Sequence, residues 1–352
     1  LKSFEYLCLY CIRAFRGERT TSAIYHLLKG KKSSQTIQDG NLYAISNLFG
    51  ILPELSRTEL DASIVHLEQH HLIALKDDFY QITEEGRATL QKESENFPLS
   101  PYLNGWEYKG KADVFWKRYS LLIQTLSNIQ MGRTDFIPVQ YEETVQHFVK
   151  KILLQHGVSK KELTSLIHQE TLSLLNMVGD QKAYIFVSRL SGHLHSGLTL
   201  LQISKKLGLD ETWVLLEFQA AIHYMLQQIE MKVDHYPVLS KLCSDMINRP
   251  NLTATTQKTL YLLDRGYNLE EIAAARNLKQ STIEDHIVEL ALHLDSFSIS
   301  PYVSKKLAQT IMEAAYELKT NQLKRIKEYV DLADISYFQI RLVLTKMGDK
   351  HG

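Results

Sequence analysis

The chain has 352 residues, with 40 Lys and Arg against 40 Asp and Glu, so its formal net charge at neutral pH is zero. At roughly 150 residues per domain, that length predicts two or three domains, each large enough for its own core. A hydrophobic content of 44% beside 23% charged residues excludes a largely disordered chain. Cys8, Cys11 and Cys243 are too few, and odd in number, for a disulfide scaffold, which favours a reducing compartment. No stretch reaches the about 18 consecutive apolar residues of a membrane span, so no membrane partner is expected. The N-terminus lacks the order of a signal peptide, and the chain begins at Leu1, which predicts a non-standard or trimmed initiator and a cytoplasmic location.

The neutrality is local as well as global. Residues 1–92 carry 11 basic and 11 acidic side chains, residues 93–250 carry 16 of each, and residues 251–352 carry 13 of each. No third of the chain is a basic domain that grips nucleic acid by counterion release alone. A nucleic-acid role must then rest on local clusters or be shared with a partner.

In chain order, the first strong signal is a Ser56-Arg57-Thr58-Glu59 capping box, which opens a helix with Leu60, Ile64 and Leu67 on one face. Ile73-Ala74-Leu75 and Phe79-Tyr80-Gln81-Ile82 flank Lys76-Asp77-Asp78 and predict a β-hairpin. Thr83 then caps a helix whose first turn holds Glu84 and Glu85, favoured there by the helix dipole. Helix, helix, hairpin, helix is a winged helix.

Around it, Gly17-Glu18-Arg19-Thr20-Thr21-Ser22-Ala23 leads through Leu27-Leu28-Lys29-Gly30-Lys31-Lys32-Ser33 to the capping box. His70-His71-Leu72-Ile73 and Ile82-Thr83-Glu84-Glu85-Gly86 follow. This order resembles the RecQ C-terminal (RQC) winged helix over residues 15–90. Two departures stand out: the hairpin tip is Asp77-Asp78 where strand-separating members carry an aromatic, and the four-cysteine zinc subdomain is missing. Phe79 lies just past the tip and reads as a possible core residue. Cys8 and Cys11, among Leu7, Leu9 and Ile12, read as buried thiols.

Independently of the resemblance, Lys29, Lys31, Lys32, Ser33 and Ser34 offer cations, hydroxyls and the amides of a Gly-containing turn to a phosphate backbone. Arg57 and Thr58 supplement the amides at the start of the next helix. The competing reading is a solvated basic loop after a helix C-terminus, where lysines are favoured anyway. A Walker A loop requires Gly five residues before Gly30, and Tyr25 stands there. The chain carries no motor of its own.

Two prolines and two glycines from Lys92 to Gly110 mark a joint, and Asn248-Arg249-Pro250-Asn251 marks a second. The expected organisation is a winged helix over 1–92, a linker over 93–111, a helical domain over 112–250 and a helix-turn-helix domain over 251–352. About three quarters of the chain reads as helix, so the fold class is mainly α, with a small hairpin. The middle domain holds a helix-turn-helix-like run from Leu198 to Trp213, with Gly208 as the left-handed residue, Asp210 as cap, and Lys205 and Lys206 as a solvated face.

In the last third, Asn268 and Glu271 form a cap with its reciprocal partner, and Asn277 occupies the left-handed turn position. Lys279-Gln280-Ser281-Thr282 starts the second helix, with Ile283, Ile287, Leu290 and Leu294 at core spacing. Lys279, Gln280, Ser281 and Thr282 could meet phosphates or base edges, while Glu284, Asp285 and Glu289 fit a protein-docking helix. His286 reads as a packing or capping residue. Preceded by Thr255–Leu263 and followed by Asp334–Leu344, this region resembles the helicase-associated helix-turn-helix domain of some RecQ proteins. Both ends together, on a chain without a motor, resemble the YpbB family.

That resemblance implies a non-enzymatic DNA-binding accessory protein that acts with a RecQ-type DNA helicase in replication, recombination or repair, on duplex or branched DNA. A transcriptional regulator and a protein-binding scaffold are the alternatives. His66 and His70 share a helix face beside His71, and His193 and His195 form another pair, but neither set offers a third metal ligand. No nucleophile motif or carboxylate constellation is present, so no catalytic residue, cofactor, metal or small-molecule substrate is expected.

Overall fold

The computed structural model describes residues 1–155, 157–246, 251–294, 296–330 and 335–347. It divides into two compact units, residues 1–4 with 93–249 and residues 5–92 with 250–352. Of the second expected joint, only Asn251 falls within the described residues, and Asp334 lies outside them.

The chain begins with α1 (Ser3–Phe15), α2 (Thr21–Lys29), α3 (Ser34–Leu42), α4 (Arg57–Gln69), the strands β1 (Ile73–Lys76) and β2 (Phe79–Ile82), and α5 (Glu84–Asn96). The predicted winged-helix order is present, and local chemistry sets its boundaries. Gly30 closes α2 at φ 71°, a left-handed conformation that a Cβ disfavours. Ser33 caps α3 by accepting from the Thr36 amide, and Ser56 caps α4 by accepting from Glu59. The hairpin pairs Lys76 with Phe79 across a two-residue turn, so Lys76 belongs to β1 rather than to the turn. Asp77 and Asp78 both have positive φ, 48° and 68°, the signature of a type I′ turn. Thr83 Oγ1 accepts from the Gly86 amide as α5 starts. Leu27, Leu28, Ile37, Leu60, Ile64, Leu67, Ile73 and Leu90 fill the core, together with Cys8 and Cys11.

The unit of residues 93–249 contains α6 (Gly105–Tyr108), α7 (Lys111–Gln130), α8 (Glu143–Gln155), α9 (Lys160–Val178), α10 (Asp180–Ser188), α11 (Leu200–Leu207), α12 (Glu211–Met231) and α13 (Leu239–Cys243). Phe115, Tyr119, Leu122, Ile167, Ile185, Phe186, Val214, Phe218 and Ile222 form one shared core. Leu103, Trp106 and Tyr108, from the stretch rich in Pro and Gly, are buried as well. The helix-turn-helix-like run is present, with a Thr199–Gln202 capping box, Gly208 at φ 66° and Asp210 accepting from the Trp213 amide. Lys205 and Lys206 are exposed. Buried Glu170 accepts from the amides of Val238 and Leu239 at 3.0 and 2.9 Å, which fixes the entry to α13.

The chain ends with α14 (Ala254–Leu263), α15 (Leu269–Arg276), α16 (Gln280–His293), α17 (Lys305–Leu318), α18 (Leu323–Val330) and α19 (Tyr337–Thr345). Asn268 and Glu271 make a full capping box and Asn277 sits at φ 49°, so α15 and α16 are joined as the sequence predicts. Within this unit α16 packs against α14, α15 and α19, and also against α3 of the winged helix. Two polar clusters join the sequence-distant halves. Glu18 accepts from Tyr43 Oη at 2.7 Å, from the Asn321 amide at 3.2 Å and from the Thr320 hydroxyl. Arg341 binds Asp285 at 2.5 Å, Gln38 at 2.9 Å and Ser34.

Candidate nucleic-acid interface

The expected phosphate-contact residues divide into those that share a face and those that turn away from it. Arg57, exposed at the start of α4, reaches back to α2, donating to Ser22 at 2.9 Å and Thr21 at 3.3 Å while pairing with Asp61. Lys29 donates to the Leu55 carbonyl at 3.0 Å, two residues before Arg57. The Tyr25 ring lies beneath both, 5.4 Å from Lys29 Nζ and 6.0 Å from the Arg57 guanidinium. Burial, then the fields of Lys31 and Arg57, holds the His26 ring below its usual pKa. Lys29 and Arg57 therefore converge around Tyr25 on the α2–α4 face, and Lys31, Lys32 and Thr58 are exposed.

The amides of the Gly30 turn were expected to help hold phosphate, and here the structure differs. Gly30 N–H donates to Leu27, Lys31 N–H to His26 and Ser33 N–H to Lys31, each at 2.9 Å. Closing the helix end consumes these donors. Ser33 spends its hydroxyl on capping α3. Ser34 is drawn inward, donating to Asp285 at 3.1 Å and accepting from Arg341. What the turn presents outward is the pair of exposed side chains Lys31 and Lys32.

At the other candidate segment, Lys279, Gln280 and Ser281 are exposed and Thr282 is half-buried. Beyond that first turn of α16, Ile283 and the run from His286 to Ala291 are buried. Two of the three acids expected to meet a protein are used inside the chain. Asp285 holds Arg341 and Ser34, and buried Glu289 accepts from Thr253 Oγ1 at 3.0 Å, Thr256 Oγ1 at 2.7 Å and the Thr253 amide at 2.5 Å. His286 is a packing residue bonded to Thr259 Oγ1 at 2.8 Å, and burial lowers its pKa to about 4. The Ser34–Asp285 bond also means that the start of α3, just after Lys31 and Lys32, touches the second turn of α16. Both candidate segments thus sit on helices in direct contact.

Tyr25, Thr21 and Ser22 were not foreseen, although Tyr25 and Lys29 stand four apart on one helix, a spacing that places them together. Nothing in the sequence links Arg341 to Ser34 or Gln38. Exposed Asp77 and Asp78 form the wing tip, and Phe79 is half-buried rather than core. His70 Nδ1 bonds the His66 carbonyl of its own helix at 2.8 Å, and His193 lies 3.3 Å from Asn128. Among the described residues, no group of three or more His, Cys, Asp or Glu side chains could hold a metal ion. All three cysteines are free and buried, with the Cys11 thiol pushed up to about 12 by burial. No helix among the described residues is long and apolar enough to cross a membrane.

This geometry defines a helix-turn-helix protein with a winged-helix companion. A helix-turn-helix domain family matches residues 255–344, spanning α14 to α19. Over its whole length the chain is 37% identical to Protein YpbB of Bacillus subtilis (strain 168), covering 99% of that protein. The chain belongs to the YpbB family. No solved structure matches it. Family and domain together suggest a DNA-binding protein.

Proposed function

We propose that this chain is a non-enzymatic accessory protein of DNA replication, recombination or repair, working in the cytoplasm beside a RecQ-type DNA helicase that supplies the ATP hydrolysis. The observation that carries the reading is the convergence of Lys29 and Arg57 around Tyr25 on one face of a winged helix, next to exposed Lys31 and Lys32, in the same compact unit as the helix-turn-helix. Lys31 and Lys32 contact phosphates as side-chain cations. Arg57 is held in place by Thr21, Ser22 and Asp61, and with Thr58 it faces the backbone from the start of α4. Lys279, Gln280, Ser281 and Thr282 add a second point of contact.

With about three or four phosphates neutralised, the logarithm of affinity falls with the logarithm of salt at a slope near −3, shallow for a DNA-binding protein. Such weak unaided binding fits a chain of zero net charge that depends on a partner for grip. Reading an operator requires a longer open stretch of helix than the single turn at the start of α16. The test pairs salt-dependent DNA binding by wild type and the Lys31→Glu, Lys32→Glu variant with co-purification alongside the host's RecQ-type helicase and its unwinding rate. Loss of binding in a folded variant, together with a complex that changes unwinding, is the expected result. Wild-type binding that the double variant leaves intact, or the absence of any complex, overturns the reading.

A further inference from the structure

A cavity of about 420 Å3 opens beside the wing, bordered by α3, the Glu18–Arg19 turn and the start of α18, all within one compact unit. Its size falls in the range of small-ligand sites. The lining combines half-buried Phe79 and Leu323 with three primary amides, Gln35, Gln38 and Gln322, and exposed Lys324. Gln38 is 1% exposed; its Oε1 accepts from Arg341, and its Nε2 has no hydrogen-bond partner among the described residues. Gln35 spends its Nε2 on Asp39 at 2.8 Å, which leaves its carbonyl as an acceptor.

The charges at this site are already matched. Arg19 is paired with Asp39 at 2.8 Å, and Glu18 accepts from Tyr43, Thr320 and Asn321. An anionic ligand would find no free buried cation, and a purely apolar one would leave the amides unpaired. A flat neutral ring bearing both donors and acceptors on its edge satisfies the aromatic wall and the amides together.

We propose that this cavity takes one unpaired nucleobase, stacked on Phe79 and read on its edge by the Gln35 and Gln322 amides, with Lys324 meeting the adjoining phosphate. The inference deepens the DNA-binding reading and rests on it. Asp77 and Asp78 at the wing tip repel a duplex backbone, so the base comes from a strand already open. A free nucleotide presents the same ring, and the experiment separates the two sources.

The full-length protein is titrated with a short mixed-sequence single strand, the same strand made abasic, a blunt duplex and free dAMP. The single strand binds about tenfold more tightly than its abasic form, the contribution of one stacked base. Phe79→Ala and Gln322→Ala, each checked by thermal melting, abolish that preference and leave duplex binding unchanged. Equal affinity for base-bearing and abasic strands, with duplex binding intact, overturns this inference alone. Saturable dAMP binding that Phe79→Ala removes, without binding of any DNA, keeps the cavity's chemistry and overturns the proposed function. No binding of any probe overturns both.

Discussion

Arg341→Met tests whether the two sequence-distant halves of the second unit are held together by a specific polar contact. The guanidinium bridges Asp285, Ser34 and Gln38, and its side chain is 17% exposed. Truncation leaves Gln38 Oε1 buried without its donor, which costs about 1–3 kcal/mol. Losing the pair with Asp285 adds only about 0.5–1 kcal/mol, because that carboxylate is 39% exposed and screened by solvent. The sum, about 2–4 kcal/mol, lowers the melting temperature of a unit this size by about 10 °C. The assay exploits an asymmetry in composition. All three tryptophans, Trp106, Trp116 and Trp213, lie in the unit of residues 93–249. Tryptophan emission therefore follows that unit, while far-UV circular dichroism follows both. The variant should move a dichroism transition and leave the tryptophan transition where it was. An unmoved dichroism profile, or an equal shift in both signals, refutes the reasoning.

Three further outcomes follow from the same geometry. Glu289→Ala removes the acceptor of both Thr253 donors and of Thr256, and should destabilise the helix-turn-helix by about 3 kcal/mol in urea unfolding; a change below about 1 kcal/mol would contradict the assigned network. Gly86→Ala drives a Cβ into the Leu72 carbonyl oxygen, a backbone clash that must displace α5 from the hairpin. A loss of more than about 2 kcal/mol is expected from denaturant titration, and a neutral result would show that the approach is looser than this. Burial lowers His223 to about 3 and His286 to about 4, so both stay neutral in the fold while the unfolded chain takes up protons near pH 6.5. The contribution of these two rings is therefore full well above pH 6.5 and falls by about 1.4 kcal/mol per pH unit for each ring as pH drops from 6.5 towards 4. His286→Gln should flatten that slope in melts between pH 7 and 5, and an unchanged slope would rule out its burial as the cause.

Much of the fold was legible because its causes are local. Ser56, Thr83, Asn268 and Asp210 satisfy amides within three residues, and Gly208 and Asn277 supply left-handed turns where the helical period breaks. Spacing of three and four residues fixes which side of each helix is apolar, so winged helix, hairpin and helix-turn-helix could all be read from neighbours along the chain. The cations of the candidate interface were equally visible. Their partners were not, since Arg57 finds Thr21 and Ser22 only when α2 and α4 pack side by side.

What tertiary structure alone decided is how those local pieces are used. Ser34, Asp285 and Glu289 looked like ligands for something outside the chain, and packing turned Ser34 and Asp285 towards one another and towards Arg341, and Glu289 towards Thr253 and Thr256. The Gly30 turn looked like a set of open amides, and helix closure consumed them. The glutamines beside Phe79 carried no sequence signal at all, because a cavity belongs to the spaces between elements. Sequence fixes the chemistry each residue has to offer and the helix or strand that carries it. Only the meeting of residues about three hundred positions apart, as between Ser34 and Arg341, determines which donors and acceptors are spent inside the protein and which are left for a partner.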